Sequence, residues 1–236
     1  MPVRPGRSVR RIAPRLSASG RPATLPDDDL TDDAMLRRID WGNADLSGRR
    51  ARLVDVEECH LTGTSLAGSE LDKISVSDTL FTRCDLANVL LRDAAFNRVV
   101  FTGCRLTGGT LVEATLRHVA MVDCLADMAS FRFASSLALE FRDCRFHRAD
   151  FGSTDLRGAR FEQCDLSGAD FSSVRAAKAV FVDCTWEGVR GIASLAGATV
   201  ANTSPIDLLA FTAGMAGALG ITMADPADVQ VDTGNV

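Results

Sequence analysis

The sequence has no tyrosine, no glycine-rich phosphate loop and no Gly-x-Ser-x-Gly elbow, so it offers neither a phosphate cradle nor the nucleophile of a serine hydrolase. No apolar leader segment opens it, and the formal charge is a modest −5, which sets no strong demand for a charged partner. Histidines number only three, and His60, His118 and His147 are scattered along the chain; the repeat described below puts each on an outward or corner position, where a solvated side chain is expected. Cysteines are seven, but Cys84, Cys104, Cys124, Cys144, Cys164 and Cys184 stand twenty residues apart. Nineteen intervening residues match no zinc motif, and no metal or other cofactor is expected. Side chains in register point the same way, so the column reads as small core residues, with Cys59 in the same kind of slot. Thiols used in this way suit a reducing, cytoplasmic setting.

What the chain does have is a period of five. From Trp41 to Trp186 every fifth residue is Val, Leu, Met, Phe or Trp, the departures being Ala51, Ala126, Ser136 and Ala176. The residue two places earlier is small except at Ile39, Arg49, Ile74 and Leu139. Each pentad therefore reads in, out, in, then two turn residues, as in Cys84-Asp85-Leu86-Ala87-Asn88. Three alternating residues make a minimal strand, and Gly, Asn or Ser after them supplies the turn. Strand and corner repeated in register wind into a solenoid. The twenty-residue cysteine interval sets four pentads per coil, with successive coils stacked at about 4.8 Å.

The motif seen as Ala44-Asp45-Leu46-Ser47-Gly48 and Ala169-Asp170-Phe171-Ser172-Ser173 resembles the pentapeptide-repeat family over about residues 34 to 188. The resemblance implies an all-β solenoid, a right-handed quadrilateral β-helix of about eight coils of four pentapeptides, with a C-terminal capping and dimerisation α-helix. It also resembles the Qnr-type and mycobacterial quinolone-resistance members. These imply an outer surface that mimics duplex DNA and binds DNA gyrase or another topoisomerase, protecting it from quinolone-type inhibitors.

The expected organisation is a disordered or extended tail over residues 1–33, the β-helix over 34–203, a helix over 204–220 and an acidic tail over 221–236. Arg4, Arg7, Arg10, Arg11, Arg15 and Arg21 fall within residues 1–25 without one acid, and Asp27, Asp28, Asp29, Asp32 and Asp33 follow. A nucleic-acid-binding arm would need aromatic interleaving that is missing; the same composition also matches a transit peptide. Arg49 falls on an inward slot, where an unpaired guanidinium is too costly, so a bulge or a snorkelling side chain is expected. Ala126 and Ser136 leave the core thin between Leu125 and Leu139, and Phe133 falls on a corner. After Trp186 the frame shifts at Gly188-Val189-Arg190-Gly191. Ser204-Pro205-Ile206-Asp207 then reads as N-cap, N1 proline and N3 acid, and Gly220 as a stop. The helix between them carries Leu208, Phe211, Met215 and Leu219 on one stripe. An apolar helix must be buried, against the end of the solenoid, against a second subunit, or in a membrane through Leu208–Ala224, a run short for spanning. The family resemblance favours a cap that also forms a homodimer.

A filled four-sided rod offers no cleft in which a carboxylate pair would work as acid and base, so an enzyme ranks last. The leading reading is a non-enzymatic interaction scaffold that binds a protein partner through its outer faces, with neither nucleic acid nor membrane as the partner. Its candidate surface is the outward apolar column Leu80, Val100 and Ala120 with Leu125, Met128 and Phe133 nearby. The second reading is the DNA mimic bound to gyrase, with Asp150, Asp155, Asp165 and Asp170 as the mimicking acids. From Trp41 to Arg190 acids number 21 and bases 18, a net of −3, sparse beside duplex DNA with one charge per about 1.7 Å.

The assigned phase has a direct test. Phe161→Asp buries an unpaired charge between Phe141 and Phe181 and should unfold several coils, whereas Asp165→Asn, on the outward position, should leave the thermal midpoint nearly unchanged. Equal midpoints for the two variants would mean the phase is wrong.

Overall fold

The computed structural model describes residues 10–16 and 20–218. The period of twenty appears as parallel pairing without a slip: Trp41 lies beside Leu61, then Phe81, Phe101, Met121, Phe141, Phe161 and Phe181. A second face stacks Leu36, Val56, Val76, Phe96, Leu116 and Ser136 in the same way. The other two faces are joined largely by single bridges such as Asp45–Ser65 and Leu90–Thr110. The result is a right-handed parallel β-solenoid of about nine turns with one C-terminal helix.

The corners explain why five residues suffice for one side. Every fifth residue from Asp33 to Gly188 has a positive φ, between 48° and 72°. Where the carbonyl of the central residue also accepts from the amide three places on, as in Ser69 to Leu66 at 3.1 Å and Ala169 to Leu166 at 2.9 Å, the corner is a type II turn, which requires that φ. The left-handed residue turns its own N–H toward the next coil: Leu53 donates to Asp72 at 3.0 Å and Asn88 to Thr107 at 2.9 Å. Such use of the backbone leaves no room for proline, and none occurs between Pro26 and Pro205.

Inside, side chains of successive coils form columns. Phe131, Phe151 and Phe171 stack ring on ring with centroids 5.0 Å apart and planes 6° from parallel, while Phe141 and Phe146 meet edge to face at 4.8 Å across the core. All six column cysteines are buried and free, as is Cys59. Cys84 donates its S–H to Leu61 at 3.2 Å and Cys144 to Met121 at 3.3 Å. Burial pushes the Cys59 thiol up, and Cys144, beside the Cys124 thiol and buried, is pushed up to about 12. In the thin stretch Ser136 is half-buried, and its hydroxyl donates to the Asp155 carbonyl at 2.7 Å.

At the start of the solenoid one sequence expectation changes and another is narrowed to one of its two alternatives. Pairing begins at Arg21–Pro22, which lies beside Ile39 and Asp40, so the expected boundary near residue 34 moves back. Residues 20–33 close the lower end: Leu30 is buried there, and buried Asp28 receives the Arg21 guanidinium at 2.6 Å and the Thr24 amide at 2.7 Å. Arg49 makes no bulge, because Arg50–Arg52 pairs in register with Glu70–Asp72. Its guanidinium leaves the core and reaches Asp29, twenty residues earlier, at 2.7 Å.

At the upper end a 3-10 turn, Ile192–Leu195, shortens one side, so Val200 stacks on Phe181 at an interval of nineteen. Gly191 permits this: its φ is 72°, and a Cβ there would stand 2.2 Å from the Ser172 amide nitrogen. The helix α1, Pro205–Ala218, then lies on the last coil. Asp207 both caps the helix with Ser204 and accepts the Trp186 amide at 2.9 Å. The Phe211 ring meets Trp186 at 5.3 Å, and Gly214 admits Ile192, whose Cδ1 would be 2.5 Å from a Cβ at that position.

Most of the left-handed corners are not glycine, and Leu53, 55% exposed with φ 60°, is a poor choice for such backbone. Leu53→Gly removes the steric cost and restores some freedom to the unfolded chain, for a net stabilisation of about 0.5–1 kcal/mol. Chemical denaturation checks it, and a loss of stability would show that Leu53 packs.

Candidate interaction surfaces

With the interior filled, whatever the solenoid does must be done by outward residues. These stack at coil spacing, so charges twenty residues apart become neighbours. Arg98 grips Asp78 through Nε at 2.6 Å and Nη2 at 2.5 Å; Arg105 pairs with Asp85, Arg142 with Glu162, Arg175 with Asp155 and Arg190 with Asp170. Exposed pairs of this kind contribute little singly, but they cancel much of the outward field.

The acids expected to imitate a phosphate backbone are thereby engaged. Asp155 is nearly buried between Arg157, at 2.7 Å, and Arg175, at 3.2 Å, and the Arg157 hydrogen bond holds its carboxyl below the usual range. Asp150 pairs with Arg132 at 3.2 Å and Asp170 with Arg190 at 3.1 Å, while Asp165 accepts from Ser167 and Thr185. Only Asp150 and Asp170 stack in one column; Asp155 and Asp165 lie on the faces to either side. The four do not form one negative stripe.

The expected apolar patch also divides. Leu125, Met128 and Phe133 are exposed, but Leu125 is on the face beside the Leu80 column, and Met128 and Phe133 occupy the next two corners; Arg132 sits over the Phe133 ring at 5.1 Å. Ala120 is buried, with 3% of its surface exposed, and Leu80 and Val100 are half-buried. Their cover is the arginine-rich segment expected to be a loose tail. Residues 10–16 run along this edge of the solenoid against the direction of coil growth: Arg11 Nε donates to Glu140 at 3.2 Å, the Ile12 amide to His118 Nδ1 at 3.3 Å and the Arg15 amide to Asp78 at 2.8 Å. The corner residues Asp78 and Ala138 are buried along the same line. Composition gave no sign of this strap; the uncharged outward column beneath it was the available clue.

The stripe expected at a dimer contact is likewise redistributed. Phe211 and Met215 pack on the solenoid core and so belong to the cap, Leu208 is exposed, and Leu219 lies outside the described residues. The apolar surface left open on α1 is Ile206, Leu208 and Leu209, at 77%, 54% and 66% exposure. No helix among the described residues is long and apolar enough to cross a membrane, and among them no cluster of His, Cys, Asp and Glu could hold a metal.

A parallel solenoid with a filled four-sided core and a left-handed corner every fifth residue defines a repeat protein. The family described as "Pentapeptide repeat region" matches residues 54–131 and 94–162, and "Pentapeptide repeats (8 copies)" matches residues 141–184. The chain belongs to the pentapeptide-repeat family. No curated protein matches it. Among solved structures it is similar to HetL of the cyanobacterium Nostoc sp. strain PCC 7120, a pentapeptide repeat protein involved in heterocyst differentiation regulation, with 21% identity over 71% of this chain and 87% of HetL and a TM-score of 0.35. It is also similar to trypsin-treated QnrB1, a plasmid-mediated fluoroquinolone resistance protein, with 19% identity over 82% of this chain and 99% of that one and a TM-score of 0.34.

The strap anchor at His118 should respond to pH. An amide can only donate, so Nδ1 must carry a lone pair. Burial lowers the His118 pKa, and the guanidinium groups of Arg98, Arg11 and Arg117 lower it further, so the docked strap favours the neutral ring. Its contribution is complete above the ordinary value near 6.5 and is lost as pH falls through the lowered one. The Ile12 amide resonance should therefore shift between about pH 7.5 and about pH 5, while His118→Asn, which keeps an acceptor, should hold it still. An Ile12 signal indifferent to pH in the unmodified chain would contradict the anchor.

Proposed function

We propose that the chain is a non-enzymatic scaffold that acts by binding a protein through its outer surface, and that one such contact is a two-fold association through α1. The supporting observation is the apolar face Ile206, Leu208 and Leu209, left in water while Phe211 and Met215 are used up by the cap. Large apolar side chains contribute roughly 1.5–3 kcal/mol each on burial, and an isologous contact lets each copy cover the other. The seven buried thiols suit a reducing compartment. The DNA-mimic reading ranks second, because three of its four acids are ion-paired.

Ile206→Asp combined with Leu209→Asp leaves the cap contacts intact and should give a monomer whose far-UV spectrum and thermal midpoint match those of the unmodified chain. Sedimentation velocity distinguishes the outcomes. An unmodified chain that is already monomeric at about micromolar concentration would remove the two-fold contact from the proposal.

A further inference from the structure

The strap occupies its groove incompletely. Among the described residues its three hydrogen bonds to the solenoid all run one way: Arg11 Nε, the Ile12 amide and the Arg15 amide donate, and Glu140, His118 and Asp78 accept. None is a rung of the β-ladder, so lifting the strap breaks no strand pairing. Of its two large apolar side chains, Leu16 is half-buried and Ile12 is 44% exposed. Arg11 Nη1 is buried with no hydrogen-bond partner, a costly state for a donor. Beside it remains a cleft of about 210 Å³, floored by Val100, Ala120 and Val122 and edged by Glu140 and Arg160. The strap thus covers part of the column and leaves a cleft beside Arg11 open.

We propose that this groove is a docking site for an extended, arginine-bearing segment of a partner protein, and that the Arg10–Leu16 strap is its intramolecular stand-in. The chain's own basic segment already sits there, which shows what chemistry the surface accepts. Two carboxylates and an imidazole lone pair, spaced along coils stacked at about 4.8 Å, match donors on an extended chain; an apolar side chain next to the arginine would fill the cleft that Ile12 leaves open. The strap competes by tethering. A short link gives it an effective concentration in about the millimolar range, so a free segment binds poorly until the strap is lifted. This deepens the scaffold reading by naming the face and the partner chemistry, and it is independent of the α1 contact.

The probe is a fluorescent peptide of the strap sequence, Arg-Arg-Ile-Ala-Pro-Arg-Leu, titrated by anisotropy against the full chain. Arg11→Ala with Ile12→Pro removes two strap donors and should tighten peptide binding at least about tenfold over the unmodified chain. Adding Glu140→Ala and His118→Ala should abolish that gain, and a peptide with glutamate in place of each arginine should not bind. Equal binding to the loosened and unmodified chains, binding that survives loss of the acceptors, or no binding to a loosened chain with native far-UV signal overturns the proposal. On the unmodified chain, excess peptide should also speed hydrogen exchange at the Ile12 and Arg15 amides, a readout that does not depend on any variant folding; unchanged exchange would overturn it equally. Either failure leaves the α1 association standing, since sedimentation measures that separately.

Discussion

Everything in this molecule depends on a hydrogen bond between residues about twenty apart. A helix satisfies its backbone within four residues and a hairpin within a dozen, but each coil here finds most of its partners in the coil above and below, the corner bonds apart. The repeat length is therefore fixed by closure. One residue added to a side would rotate the following side chains out of register and turn an inward phenylalanine to water. The single tolerated change, at Gly191, comes where only one more strand must be placed.

The core was legible because its physics is local and periodic. Trp41, Phe101, Phe161 and their neighbours, the cysteine column and the start of α1 could be placed from local sequence, since each answers to burial or capping within a few residues; the expected stop at Gly220 lies outside the described residues. The role of residues 20–33 was not legible because they carry no pentad signature; they close the end through the buried Asp28 and its contacts with Arg21 and Thr24. Outward residues were harder. The pattern placed Leu80, Val100 and Ala120 correctly in one column but said nothing of what lay over them. The strap is held by single donors, two of them backbone amides, which leave no trace in side-chain composition. On α1 the apolar stripe was real, yet with apolar residues all round, only the direction set by Trp186 and Ile192 decides that Phe211 and Met215 face inward while Leu209 does not.

Stacking also governs the electrostatics. In a globular surface an arginine and an aspartate twenty residues apart have no necessary relation; here they are adjacent by construction. Pairs such as Arg98 with Asp78 and Arg190 with Asp170 follow from the register, and they neutralise acids that a bare count treats as free. Net charge alone is thus a poor guide to the field around such a rod, and the arrangement along each column matters more.

The helix laid over the final coil has a consequence beyond packing. A parallel solenoid ends in a row of unpaired amides and carbonyls, and the next coil could as well come from another molecule. Copies joined head to tail in this manner would never close into a ring but would extend as a filament. α1 at one end and residues 20–33 at the other obstruct both faces of such a joint, so the element that completes the core also sets a finite length on a fold whose backbone has no intrinsic stopping point.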